Sequence, residues 1–116
     1  MTDTRARKVH FVDQKLSAAF RQLESGKTEE KKLAVFLLRA VDDLKKDPEC
    51  GIKLPRKLWP DEYVQQYGIT NLWKYNLPDA WRLVYTLVGN DIEVISVILE
   101  WFDHENYEKR FGYKKK

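Results

Sequence analysis

Three charged side chains fall at positions where successive extended segments would carry them to one side of a sheet: Lys74, Arg82 and Glu100. His104 and Tyr107 follow directly behind them. Two cations can hold an anion, while a carboxylate, an imidazole and a phenol can exchange a proton, and the rings can also stack. Histidine exchanges a proton near neutral pH as a property of its type, so His104 by itself does not mark a catalytic site. The plain alternative is a surface ladder of cross-strand ion pairs, each worth roughly 0.2–1 kcal/mol. In that alternative His104 merely starts a helix and Tyr107 packs it on the sheet. A second basic group, Lys53, Arg56 and Lys57, lies beside Trp59. Basic residues next to an aromatic suit nucleic acid, and equally suit a solvated loop whose Trp59 closes the edge of a core. Lys109 and Arg110 sit in the last helical stretch, ahead of a basic tail, Lys114 to Lys116.

These residues need a scaffold, and the stretch from Asn71 to Phe102 supplies it. Leu72–Leu77, Trp81–Val88 and Ile92–Phe102 alternate as strands, with turns at Pro78-Asp79-Ala80 and Gly89-Asn90-Asp91. Alternation places Trp73, Tyr75, Leu77, Trp81, Leu83, Tyr85, Leu87, Ile95, Val97, Leu99 and Trp101 on a core face. It places Lys74, Asn76, Arg82, Val84, Thr86, Val94, Ser96, Ile98 and Glu100 on an opposite, open face. Ahead of the sheet, Leu16, Ala19, Phe20 and Leu23 predict a helix over 12–24, with Gly26 as its C-cap. Leu33, Phe36, Leu37, Ala40, Val41 and Leu44 predict a second helix opening at Thr28 and stopped by Asp47-Pro48. The fold class is therefore α+β: two N-terminal helices packed on one face of a small antiparallel sheet, then a short C-terminal helix from Asp103. Lys8–Phe11 is a candidate short strand, Ile52–Leu54 another, and Pro60 a helix start. The chain reads as one domain, 1–116, with 1–7 and 114–116 as flexible ends.

Composition narrows the function. Hydrophobic residues are 43% and charged residues 34% of 116, enough for one core. A net charge of +3 permits an acidic or nucleic-acid partner without demanding one. The single cysteine, Cys50, excludes an internal disulfide and a cysteine-built zinc site. No stretch has the roughly 18 apolar residues of a membrane span, and no apolar signal core follows Met1, so a cytoplasmic protein is expected, without membrane partners. No Gly-rich phosphate loop, Gly-x-Ser-x-Gly elbow or His-Glu-x-x-His motif occurs, and His10 and His104 have no metal-ligand spacing. Neither metal nor cofactor is expected.

The run LWKYNL…WRLVYTL…VISVILEWFDHENYEKRFGY, preceded by two helices, resembles the RelE/ParE superfamily of toxin–antitoxin toxins. The resemblance covers about Phe11 to Tyr113. Its most specific parts are the strand Trp81-Arg82-Leu83-Val84-Tyr85 and the ending Phe102-Asp103-His104-Glu105-Asn106-Tyr107. It implies a RelE-like toxin that cuts mRNA on the ribosome without a metal and is neutralised by a cognate antitoxin. In such chemistry the 2′-hydroxyl attacks the adjacent phosphate. The resemblance implies Arg82 and Lys74 at the phosphate charge, and His104, Tyr107 and Glu100 for proton transfer or stacking. Lys53, Arg56, Lys57, Lys109 and Arg110 would hold RNA. Compared with the family, the last strand offers Glu100 and Asp103 where arginine is usual, and Val84 and Ile98 make the open face partly apolar. Those departures leave room for a ParE-like gyrase inhibitor or a non-catalytic RNA-binding module on the same fold.

Overall fold

The computed structural model describes residues 3–112. Tyr113 and the Lys114–Lys116 tail lie outside the described residues. Helix α1 (Gln14–Glu24) begins where Asp13 stays extended and its carboxylate accepts the Leu16 backbone N–H at 2.8 Å, an N-cap. It ends at Ser25, not Gly26. Gly26 is needed for space: a Cβ there would stand 2.2 Å from Oε1 of Glu30. That carboxylate turns back to accept the Lys27 backbone N–H at 2.8 Å. Lys27, rather than Thr28, is therefore the cap of helix α2 (Thr28–Lys46), and Glu30 completes the backward half of a capping box.

The two helices bury Phe20, Leu33, Ala34, Leu37, Ala40 and Leu44 against Trp73, Leu77, Leu83, Tyr85 and Ile98. Those sheet residues come from β3 (Trp73–Asn76), β4 (Arg82–Gly89) and β5 (Glu93–Phe102), with Leu77 just past the end of β3. The three strands form the expected antiparallel meander. Two more strands, β1 (Ala6–Phe11) and β2 (Ile52–Lys53), give the order β1-β5-β4-β3-β2.

The sheet is mixed, which corrects the antiparallel expectation. β1 runs parallel to β5, Ala6 pairing with Glu93 and Phe11 with Ile98. Between them the chain crosses one face as α1 and α2 before it re-enters the sheet, and a crossover of that kind delivers strands in parallel. β1 also begins at Ala6, so Ala6 and Arg7 are strand rather than a loose end.

The alternation of β5 breaks in the middle. Val84 pairs with Glu100 but Tyr85 pairs with Ile98, which leaves Leu99 as an extra, bulged residue. Trp101 and Ile98 thus both serve the helix-covered side, while Leu99 and Val97 join the other. A single parity for the whole strand had put Ile98 on the wrong face, and Val97 and Leu99 with it.

The other face is not open. Val84 and Leu99 are buried there with Leu54, Tyr63, Ile69, Leu72, Phe102, Tyr107 and Phe111. Apart from Phe102 at the end of β5, these come from the segment between β2 and β3, which carries α3 (Asp61–Tyr67), and from α4 (His104–Phe111). The sheet is covered on both faces, with a core on each. Val84 and Ile98 are apolar because each fills one of these cores. Among the described residues, no helix is long and apolar enough to cross a membrane.

Candidate functional site

The second core brings two cations to one ring. Strand pairing sets Lys74 beside Val84, and Arg82 between Asn76 and Phe102. After β5, Asp103 accepts the Asn106 backbone N–H at 2.9 Å and starts α4. One turn later Tyr107 points into the core, 3% exposed, stacked on Phe111 at 4.4 Å and edge-on to Phe102 at 6.2 Å. Lys74 Nζ lies 5.3 Å from the centre of the Tyr107 ring and the Arg82 guanidinium carbon 5.8 Å from it. Both are cation–π distances.

The electrostatics of this group are unbalanced. Partial burial, and next the neighbouring Arg82 charge, hold the Lys74 ammonium below its usual pKa. Arg82 donates from one terminal nitrogen to the Trp81 carbonyl at 3.3 Å, and its Nε is buried without a partner among the described residues. Among the described residues neither cation forms an ion pair with a carboxylate. Two like charges held together in a half-buried place are relieved by an anion between them.

Glu100 belongs to a different group. It shares the face of Lys74, on the far side of Val84, but its oxygens are taken. Tyr63 donates its O–H to Oε1 at 2.5 Å, and Arg110 donates to Oε2 at 3.2 Å while also reaching Glu62 at 2.9 Å. Burial, then the Glu100 bond, drives the Tyr63 pKa far up. Burial works against the charge of Arg110, but the attraction of Glu100 outweighs it and the net shift is upward. The ladder from Lys74 to Glu100 is therefore not formed: the cation of Glu100 is Arg110.

The remaining candidates are spread out. His104 is exposed and its Nε2 lies 3.2 Å from Glu108 Oε2, one turn along α4. Lys109 lies 3.8 Å from Glu105 on the solvent side. Lys53 pairs with Trp73 and its ammonium lies 5.9 Å from that indole. Its strand neighbour Ile52 pairs with Lys74, so Lys53 is on the opposite face from Lys74. Arg56 lies 5.3 Å from the Trp59 ring, and Lys57 is exposed. Trp59 packs against the second core and donates its indole N–H to Leu54 at 3.0 Å.

A cleft of about 420 Å³ opens where the start of β4 and the end of β5 meet α4, lined by Trp81, Trp101, Asp103, Asn106, Lys109 and Arg110, with Glu62 and Phe102. Sequence reasoning missed Tyr63 and Glu62, which lie 37 and 48 residues from their partners Glu100 and Arg110. Nothing in local spacing joins such pairs. It also assigned Trp81 and Trp101 wholly to the core, although both are only partly buried.

No protein-family model, curated protein or solved structure matches the chain. The described residues define an α+β domain with a five-stranded mixed sheet and, on its second face, a two-cation site closed by a tyrosine. No three histidine, cysteine, aspartate or glutamate side chains among them are grouped as metal ligands would be.

Proposed function

We propose that the chain is a RelE-like toxin, a ribosome-dependent and metal-independent mRNA endoribonuclease neutralised by a cognate antitoxin. The observation that carries this reading is the pair Lys74 and Arg82, both against Tyr107 and neither neutralised by a carboxylate among the described residues. A phosphate between them meets two charge-assisted donors. As the 2′-hydroxyl oxygen bonds to phosphorus, the second negative charge of the phosphorane develops where these cations already stand. The bond to the 5′ oxygen then breaks, leaving a 2′,3′-cyclic phosphate and a 5′-hydroxyl. Lys74, its pKa lowered by burial and by Arg82, is suited to give a proton to that leaving oxygen. His104 is the remaining candidate to take the 2′-hydroxyl proton. Glu100 supports Arg110 and Tyr63 instead.

A second reading, binding without cleavage, draws on the engagement of both Glu100 oxygens, which takes that carboxylate out of the role of base. The aliphatic character of Val84 and Ile98 no longer favours it, since both are core residues. Expression in bacterial cells decides: growth arrest with mRNA cut at ribosomes, abolished by Arg82→Ala, is the expected result. A harmless wild type that leaves mRNA intact defeats the nuclease reading. Arrest with intact mRNA and DNA damage signalling selects gyrase.

A further inference from the structure

Of the four tryptophans, two use their indole N–H inside the fold. Trp59 donates to Leu54 at 3.0 Å and Trp73 to Asn71 at 3.1 Å. The indole N–H groups of Trp81 and Trp101 donate to no protein group among the described residues. A tryptophan buried in a core normally satisfies that donor, and these two are the ones that line the cleft.

The rest of the lining suits a flat polar ring better than an aliphatic chain. Asn106 is exposed, and its amide nitrogen donates to Asp103 at 3.0 Å while its amide oxygen accepts nothing among the described residues. Lys109 and Arg110 share the lining with Asp103 and Glu62, so the charges of the cleft balance and a neutral ring suits it. The volume of about 420 Å³ lies within the range of small-ligand sites, roughly 300–1,000 Å³. Two of the lining residues, Trp81 and Phe102, are neighbours of Arg82. Trp81 precedes Arg82 and accepts its guanidinium N–H, and Phe102, another wall, pairs with Arg82 and touches Tyr107.

We propose that the cleft of Trp81 and Trp101 is a base-binding subsite that takes one unstacked nucleobase of single-stranded RNA, next to the phosphate held by Lys74 and Arg82. The indoles supply the stacking surface and two N–H donors, and the Asn106 amide oxygen accepts from an exocyclic amine. This rests on the nuclease reading only in taking RNA as the polymer. Indole–base stacking tolerates any base, whereas the single amide acceptor favours bases that carry an amine.

The four indole N–H signals in nitrogen-15 spectra of the full chain, assigned by single Trp→Phe substitutions, report the outcome. The probe is a 2′-O-methylated trinucleotide, which cannot be cut, with inorganic tripolyphosphate as the charge control. The expected result is that the trinucleotide moves the Trp81 and Trp101 signals and leaves Trp59 and Trp73 in place, while tripolyphosphate moves neither cleft indole. Trp101→Leu should weaken binding about tenfold or more. Asn106→Ala, an exposed and structurally mild change, should lower the preference for amine-bearing bases. Cleft indoles unmoved at millimolar trinucleotide, or moved equally by tripolyphosphate, overturn the proposal. Because the probe is uncleavable, moved indoles with no nuclease activity would sink the nuclease reading alone.

Discussion

Lys74 and Arg82 meet over the ring of Tyr107, 5.3 and 5.8 Å from its centre, rather than over a carboxylate. The ring is held by α4 and the cations by adjacent strands, so three elements distant in sequence build one electrostatic unit. The obvious neutralising group, Glu100, shares the face but is committed to Tyr63 and Arg110. An anion-seeking pair survives beside a carboxylate because that carboxylate already has its own cation.

Removing Arg82 tests that unit. Arg82→Ala should lower mRNA cleavage by about 10²- to 10³-fold, the usual loss when one preorganised donor to a developing oxyanion is deleted. Cleavage assays on translating ribosomes read this directly. Lys74→Met should act in the same direction. Equal activity in both variants and wild type would place the chemistry elsewhere.

The lowered pKa of Lys74 has a pH signature. Its folded pKa lies below that of an ordinary lysine, because burial and then Arg82 disfavour the charge. Anion binding that needs the ammonium should therefore weaken on the alkaline side before a free lysine would deprotonate. Lys74→Arg should keep binding to higher pH. For stability the sign is opposite: the unfolded chain binds this proton more tightly, so stability rises as pH climbs through the folded pKa. Titrations of oligonucleotide affinity and of urea midpoint separate the two effects.

Covering of the second sheet face is tested at Val84, which is 0% exposed. Val84→Thr keeps the shape but buries a hydroxyl among apolar neighbours between β4 and α4, and should cost about 1–3 kcal/mol. Val88, 49% exposed on the same strand, is the control. Val88→Asp should change stability by less than about 0.5 kcal/mol in a denaturant melt.

Arg110 is the support of Glu100. Arg110→Ala leaves Glu100 half-buried with only Tyr63, and should destabilise by about 1–3 kcal/mol. Glu100→Gln keeps one acceptor oxygen and turns the other into an N–H donor, so it holds Tyr63 or Arg110 but not both, and should destabilise as well. If Glu100 were the base of the reaction, Glu100→Gln would instead remove activity with little loss of stability, so melts and cleavage assays on the same two proteins distinguish the roles.

Alkaline unfolding should be cooperative with tyrosine ionisation. Burial and the bond to Asp43 push the Tyr75 phenol up to about 12, well above an ordinary tyrosine, and burial raises Tyr63 and Tyr85 as well. A folded pKa above the unfolded one means stability is intact below pH 10 and is lost as pH rises toward the folded pKa. Tyrosinate absorbance and circular dichroism should therefore change together. Ionisation near 10 in the folded state would contradict the burial.

Much of the scaffold was legible in the residues because its determinants are local. Leu33, Leu37, Ala40 and Leu44 recur at helical spacing, Pro48 and Gly68 stop helices, and Asn90 closes a turn by accepting the N–H groups of Ile92 and Glu93. The side of the sheet that carries Lys74, Arg82 and Glu100 was legible too, since alternation holds between Arg82 and Val84 and between Glu100 and Phe102. Tertiary structure decided three things. The parallel pairing of β1 with β5 depends on how a helical crossover packs. The bulge at Leu99 shifts the alternation so that Ile98 fills one core and Leu99 the other. And the closure of the second face by α3 and α4 turns a presumed open surface into a core. That closure hands Glu100 to Arg110 and leaves Lys74 and Arg82 on Tyr107. Pairings like these join residues tens of positions apart through burial and charge, and spacing along a chain carries no record of them.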